Sequence, residues 1–209
     1  MIELNAATIP TMLLDDKVNL VENLLRSTGR DGTENMIGYL RNTDFYDAPA
    51  SSKYHSNYKH GLLDHSLTVY ALCSKMKDIV LCNKPEINIP DDKLIVISLL
   101  HDICKTCFYQ EVTRSKKDVN GNWYNYIGYD VHDTFPIGHG EKSVIMIQNI
   151  GFALYPDEML AIRYHMGMYD DDTNLKNAKF TATNMTPLVL ILQMADYTAS
   201  IIIEQTIEK

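Results

Sequence analysis

Residues 91–105 read DDKLIVISLLHDICK. The run LIVISLL has no polar face, so it is read as a helix buried on every side, and the rest of the chain has to wrap around it. Its last turn is the anomaly. His101, Asp102 and Lys105 follow the leucines directly, on the flank of the core, where neutral residues would cost less. A buried carboxylate without partners is expensive, so Asp196, which lies among apolar neighbours in the last helix, needs a cationic partner or strong donors as well.

The surrounding segments are predicted from periodicity and punctuation. Apolar residues at helical spacing mark 13–28, with Asp15 as a cap and Gly29 as a stop, and a shorter helix runs over 33–42. Residues 43–59 are polar and tyrosine-rich and read as a loop. A long helix over 61–82 passes through LLDHSLTVYALCSKM, and another, capped by Asp91, covers 92 to about 105. An Asn120-Gly121 turn followed by the alternating stretch WYNYIGYDV signals a hairpin within 106–137. Helices resume at 139–150 and from Asp157 to Gly167. Residues 168–186 read as a long polar loop, and Thr186-Pro187 opens a final apolar helix, PLVLILQMADYTASIIIEQ. The expected fold is all-α, a single domain over 1–209 with a helical preface at 1–50 and a small β-hairpin insertion.

The polar residues that interrupt these apolar helices form a set. His65 lies in LLDHSLTV, His101-Asp102 close another helix, His139 starts GHGEKS, His165 lies in RYHMG, and Asp196 lies in LQMADYTAS. Taken singly, each is better read as a hydrogen-bonded core or surface residue. Taken together, imidazoles and carboxylates can satisfy one another around divalent cations, and such mixed sites suit Zn, Fe, Mn, Ni or Co better than Ca.

The order His65, His101-Asp102, Asp196, all on helices, resembles the HD-domain metal-dependent phosphohydrolases. KYHSNYKHGLLDHSLTVYAL is similar to the family's GGLLEHS-type phrase, and LLHDICK to the HDxxK form of HD-GYP phosphodiesterases and of HD modules in bacterial 3′→5′ exoribonucleases. GHGEKS and RYHMG resemble the added histidines of two-metal members. The resemblance covers about residues 50–203. It implies an HD-type helical bundle with one or two divalent ions (Mn, Fe, Zn, Ni, Co or Mg). Asp102 would bridge them, His65, His101 and Asp196 would hold the first, and His139 and His165 the second. Lys105 would face a substrate phosphate. One position departs from the pattern: Gly61 stands where some two-metal members carry a Glu.

The implied reaction is hydrolysis of a phosphate ester, chiefly in a nucleotide, because divalent ions neutralise phosphate charge and lower the pKa of bound water. A phosphodiesterase acting on a cyclic nucleotide or an oligonucleotide end is the second enzymatic reading. A non-catalytic metal- or nucleotide-binding regulatory module is the third, though it has little use for Lys105. His60 is a candidate for protonating the leaving oxygen or binding substrate, with His55 behind it. Arg163 reads as a structural ion pair and His132 as surface. Trp123, Tyr124, Tyr126 and Tyr129 are expected to pack the hairpin onto the bundle, the alternative being stacking on a nucleobase.

Net charge and cysteines narrow the partners. At −8, the chain has no global attraction for nucleic acid, so a small phosphate ester is expected, or at most a short oligonucleotide end. No segment resembles a secretion signal or is long enough to span a bilayer. The four cysteines read as reduced thiols of a cytoplasmic protein, with Cys104 and Cys107 as packing residues rather than a redox pair.

Overall fold

The computed structural model describes residues 4–167 and 173–205, with backbone alone for 173–175. Three apolar helices form its centre. α3 (Gly61–Asn83) is buried without interruption from Gly61 to Cys73, and α4 (Asp91–Leu100) from Leu94 to Leu100. α8 (Pro187–Thr198), capped by the Thr186 hydroxyl accepting from the Leu188 amide, packs on α3 and closes the group. All-round burial is what the continuous apolar sequence of α4 and the first half of α3 requires, whereas α8 leaves Leu190, Met194 and Tyr197 exposed on its outer side.

The remaining helices are two-faced and lie around this centre. α1 (Leu14–Ser27) turns Val21, Leu24 and Leu25 inward, and α2 (Thr33–Asn42) does so with Met36, Ile37 and Leu40. Asp15 lies inside the first turn of α1 rather than capping it. α5 (His139–Ile150) and α6 (Pro156–Tyr164) pack on each other, and α6 packs on α8. Among the described residues, no single helix is long and apolar enough to cross a membrane.

The hairpin lies where the Asn-Gly turn puts it. β1 (Tyr109–Lys117) and β2 (Trp123–Val131) pair antiparallel, from Tyr109 opposite Val131 to Lys117 opposite Trp123. Asp118 ties the turn by accepting from the amides of Asn120 and Asn122. Its packing differs from expectation. Tyr129 is buried, but Trp123, Tyr124 and Tyr126 are exposed.

Two segments correct the sequence reading. The expected polar loop at 168–186 contains α7 (Thr173–Met185); residues 168–172 lie outside the described residues. Its sequence is rich in Asn and Thr and has weak helical propensity, yet Ala182 is buried where α7 docks on α6 and α8. The helix expected to reach about 105 stops at Leu100. Asp102 takes φ −108° and ψ 19°, and residues Ile103–Lys105 form a 3₁₀ turn.

Two buried ion pairs join the first sixty residues to the bundle. The Arg30 guanidinium meets both Glu158 oxygens on α6 at 2.5 and 2.7 Å and reaches Asp92 on α4 at 2.7 Å. Lys17 on α1 lies 2.5 Å from Asp64 on α3, whose other oxygen accepts from the Tyr58 hydroxyl.

Candidate metal centre

The inner ends of α3, α4, α6 and α8 deliver their polar residues to one place. His65 comes from the first turns of α3, His101 and Asp102 from the end of α4, His165 from the end of α6, and Asp196 from the last turn of α8. His65 Nε2 lies 3.2 Å from Asp196 Oδ1 and 3.6 Å from Asp102 Oδ2. His101 Nε2 lies 3.3 Å from both His65 Nε2 and Asp102 Oδ2. His165 Nε2 faces Asp102 Oδ1 at 3.6 Å. Ligand atoms of His65, His101 and Asp102, and again of His101, His165 and Asp196, lie within 4.8 Å of one another.

The outward nitrogens explain what the inward ones offer. His101 Nδ1–H donates to the Ser98 carbonyl at 2.9 Å, and His165 Nδ1–H to the Ile162 carbonyl at 2.6 Å. His65 Nδ1–H donates to the Glu204 carboxylate at 2.9 Å, and Glu204 accepts in turn from the Ser56 hydroxyl. Each partner is an acceptor, so in the neutral rings the proton sits on Nδ1 and Nε2 is left with its lone pair. Three such lone pairs converge on two carboxylates. Among the described residues, Asp102 Oδ1 and His165 Nε2 are buried with no hydrogen-bond partner. A set of acceptors this crowded is suited to a cation, and the mixture of imidazole and carboxylate to a divalent transition ion.

The charges agree. Burial works against ionised Asp102, but Lys105 and His101 hold its carboxyl well below the usual carboxylate range. Burial lowers His65, yet Glu204 and Asp196 overcome it and push the imidazole up to about 10. His165 is raised by Asp102 against the same burial. Protons are thus drawn to the spot where a metal ion would compete with them.

Local backbone builds this convergence. In a 3₁₀ turn, side chains three apart eclipse, so Lys105 stands over Asp102 with Nζ 2.7 Å from Oδ2. At Gly140 a Cβ would lie 2.4 Å from the Arg163 carbonyl, so only glycine lets α5 approach the end of α6. Arg163 pairs with Glu141. At Gly61 a Cβ would lie 2.0 Å from the Ser56 carbonyl. The α3 position where some two-metal relatives carry Glu is therefore closed to any side chain.

A cleft of ≈ 970 Å³ opens onto the centre, lined among others by Asp102, Lys105, His139, His165 and Asp196. All the expected ligands except His139 meet in the compact groups. His139 lies on the cleft wall with Nδ1 3.5 Å from Cys104 Sγ. His60 is not part of the lining. Its left-handed backbone (φ 73°) starts α3, and its Nδ1–H donates to the Tyr46 carbonyl at 2.7 Å, which turns the ring toward residues 46–47. His60, expected as a catalytic and substrate-binding residue, thus lies apart from the residues that line the cleft. His55, the weaker candidate, does line the cleft; its ring centroid is 4.9 Å from that of His65, and its buried Nε2 has no partner among the described residues. Glu204 escaped the sequence reading. Its only signal is an acidic residue closing the apolar run IIIE, eight residues after Asp196.

The family model of the HD domain matches residues 62–201, more than half of the chain and every helix that contributes to this centre. The chain belongs to the HD-domain family. No curated protein and no solved structure matches it. HD domains are typically metal-dependent phosphohydrolases, and the buried His/Asp groups of this HD domain are consistent with a divalent metal site. His55 and Glu204 lie outside the matched span.

Proposed function

We propose that this HD domain hydrolyses a phosphate ester of a nucleotide with the help of one or two divalent cations. One observation carries the reading: three imidazoles, each anchored through Nδ1, aim Nε2 at Asp102 and Asp196 in a buried pocket. His65, His101, Asp102 and Asp196 would hold a first ion, and Asp102 with His165 a second. A divalent ion supplies charge neutralisation and lowers the pKa of bound water from 15.7 toward about 7.

The chain's own residues do the rest. Lys105 places a fixed positive charge beside Asp102 at the cleft wall, where negative charge on a phosphate oxygen is stabilised. Burial, aided by the nearby His65 and Lys105, lowers His55 to about 4, and burial also lowers His139. Both are therefore neutral near pH 7, able to accept or relay a proton at the cleft wall. Phe108, Tyr109 and Met166 supply part of the cleft wall beside these groups.

The HDxxK form supports the second reading, a phosphodiesterase on a cyclic nucleotide or an oligonucleotide end, because Lys105 adds a charge that a doubly esterified phosphate can use. The test is to strip the protein with chelator, reload it with Mn, Fe, Zn, Ni, Co or Mg in turn, and assay a panel of phosphomonoesters and phosphodiesters. Activity should return with metal, and Asp102→Ala should lose bound metal and turnover together. Full turnover in that variant would discard the mechanism. Metal binding without turnover on any ester would leave a regulatory module.

A further inference from the structure

A second cleft, of ≈ 610 Å³, runs from the first along the hairpin. The two share Ser52, Tyr54 and Gln205, so they form one continuous trough. The chemistry changes along it. The first cleft carries the metal-binding carboxylates. The second is lined by Lys53, Arg114 and Lys116, and among the described residues no carboxylate lines it. On a chain of net charge −8, this lining is locally basic, although Asp130 pairs with Arg114.

The pairing register explains the pattern. Arg114 and Lys116 on β1 share a face with Tyr124, Tyr126 and Gly128 on β2. Gly128 leaves room for the Arg114 side chain, which crosses it and pairs with Asp130. Lys116 Nζ lies 5.4 Å from the Tyr126 ring centroid and 5.9 Å from that of Tyr124. Tyr126 is 37% exposed, and Tyr54, across the trough, is 79% exposed. These rings are not used to pack the hairpin on the bundle. Lysines interleaved with open aromatic faces make a surface that attracts phosphates and stacks bases.

We propose that the second cleft binds the nucleotides of a short single-stranded oligonucleotide that lie beyond its end, while the end itself sits at the metal centre. This rests on the phosphohydrolase reading above and narrows its substrate to a strand longer than one nucleotide. Lys53, Lys116 and Tyr126 line only the second cleft and not the one that holds the metal centre. A strand has both further phosphates and further bases.

The test is a binding measurement on the metal-loaded protein, using fluorescein-labelled, hydrolysis-resistant phosphorothioate oligothymidylates of increasing length from a single nucleotide, read by anisotropy across a salt series. Affinity should rise over the first few nucleotides. The double variant Lys53→Ala/Lys116→Ala should lower the slope of log affinity against log salt by about 1.4, at roughly 0.7 per single-strand phosphate contact. Tyr126→Ala should weaken the longer strands roughly tenfold, with Tyr126→Phe retaining wild-type affinity because the stacking face remains. Lys84→Ala, an exposed lysine at the end of α3, serves as the charge control and should change nothing. The inference is overturned if affinity does not depend on length, if the trough variants bind as the wild type does, or if poly-glutamate displaces the strand as well as oligothymidylate does. Binding and turnover are read apart: length-dependent strand binding by a protein that cleaves no ester in the panel above would refute the phosphohydrolase reading and keep only the strand-binding role of the trough, whereas ester cleavage without length-dependent binding would overturn the inference alone.

Discussion

Glu204 fixes the His65 ring from behind, and Ser56 fixes Glu204. Such outer partners typically contribute 10–100-fold to metal affinity. Glu204→Gln should therefore release metal about ten to a hundred times more readily to a chromophoric chelator, with an unchanged helical circular dichroism spectrum. Gly61 acts through its lack of a side chain. Its Cβ would strike the Ser56 backbone, not a flexible tip, so Gly61→Ala should lower stability by about 1–3 kcal/mol, read from urea midpoints. His55 sets an acid limit. Its folded value of about 4 lies below the ordinary 6.5, so as pH falls the unfolded chain takes up the proton first. The stability it contributes is complete above pH 6.5 and is lost as pH falls from there toward 4. His55→Gln should flatten that part of the curve when urea midpoints are compared at pH 7 and pH 5.

Elements with strong punctuation were legible in the sequence. Helices over 33–42 and 139–150 and the Asn120-Gly121 hairpin have the bounds that their flanking residues indicate. α7 was not legible, because its helicity comes from docking Ala182 rather than from propensity. The end of α4 was hidden too: nothing in HDICK announces the change to a 3₁₀ turn, although that change is what brings Lys105 onto Asp102. The polar residues that meet at the centre could be picked out because they interrupt apolar helices. His60 and His55 could not be sorted, since both lie in polar sequence and only the left-handed backbone at His60 separates their directions. In the hairpin, aromatic residues look alike in sequence but differ in burial. Tyr129→Ala should cost about 3 kcal/mol in denaturant unfolding, against no more than about 0.5 for the exposed Trp123→Ala.

For the molecule as a whole, the family match begins at residue 62, but the core does not. Leu24, Leu25, Met36 and Leu40 are part of the same apolar cluster as α3 and α4, and Arg30 reaches across to α6. Removing one partner of a buried ion pair leaves the other charge uncompensated, so Glu158→Ala should destabilise by about 3–5 kcal/mol, whereas replacing Arg30 and Glu158 together with methionine should cost far less. Divalent ions should act on stability in the opposite direction. An ion bound only by the folded chain, at a thousand times its Kd, adds about 4 kcal/mol, so chelation should lower the melting temperature measured by calorimetry. The residues of the centre span His65 to Glu204, and this separation bears on biogenesis. Synthesis proceeds from the amino end, so α3 and α4 leave the ribosome long before Asp196 and Glu204 exist. Any ion held by the full set must therefore await Asp196, and a nascent chain stalled upstream carries Asp102 in an apolar setting with only some of the side chains that surround it in the folded domain.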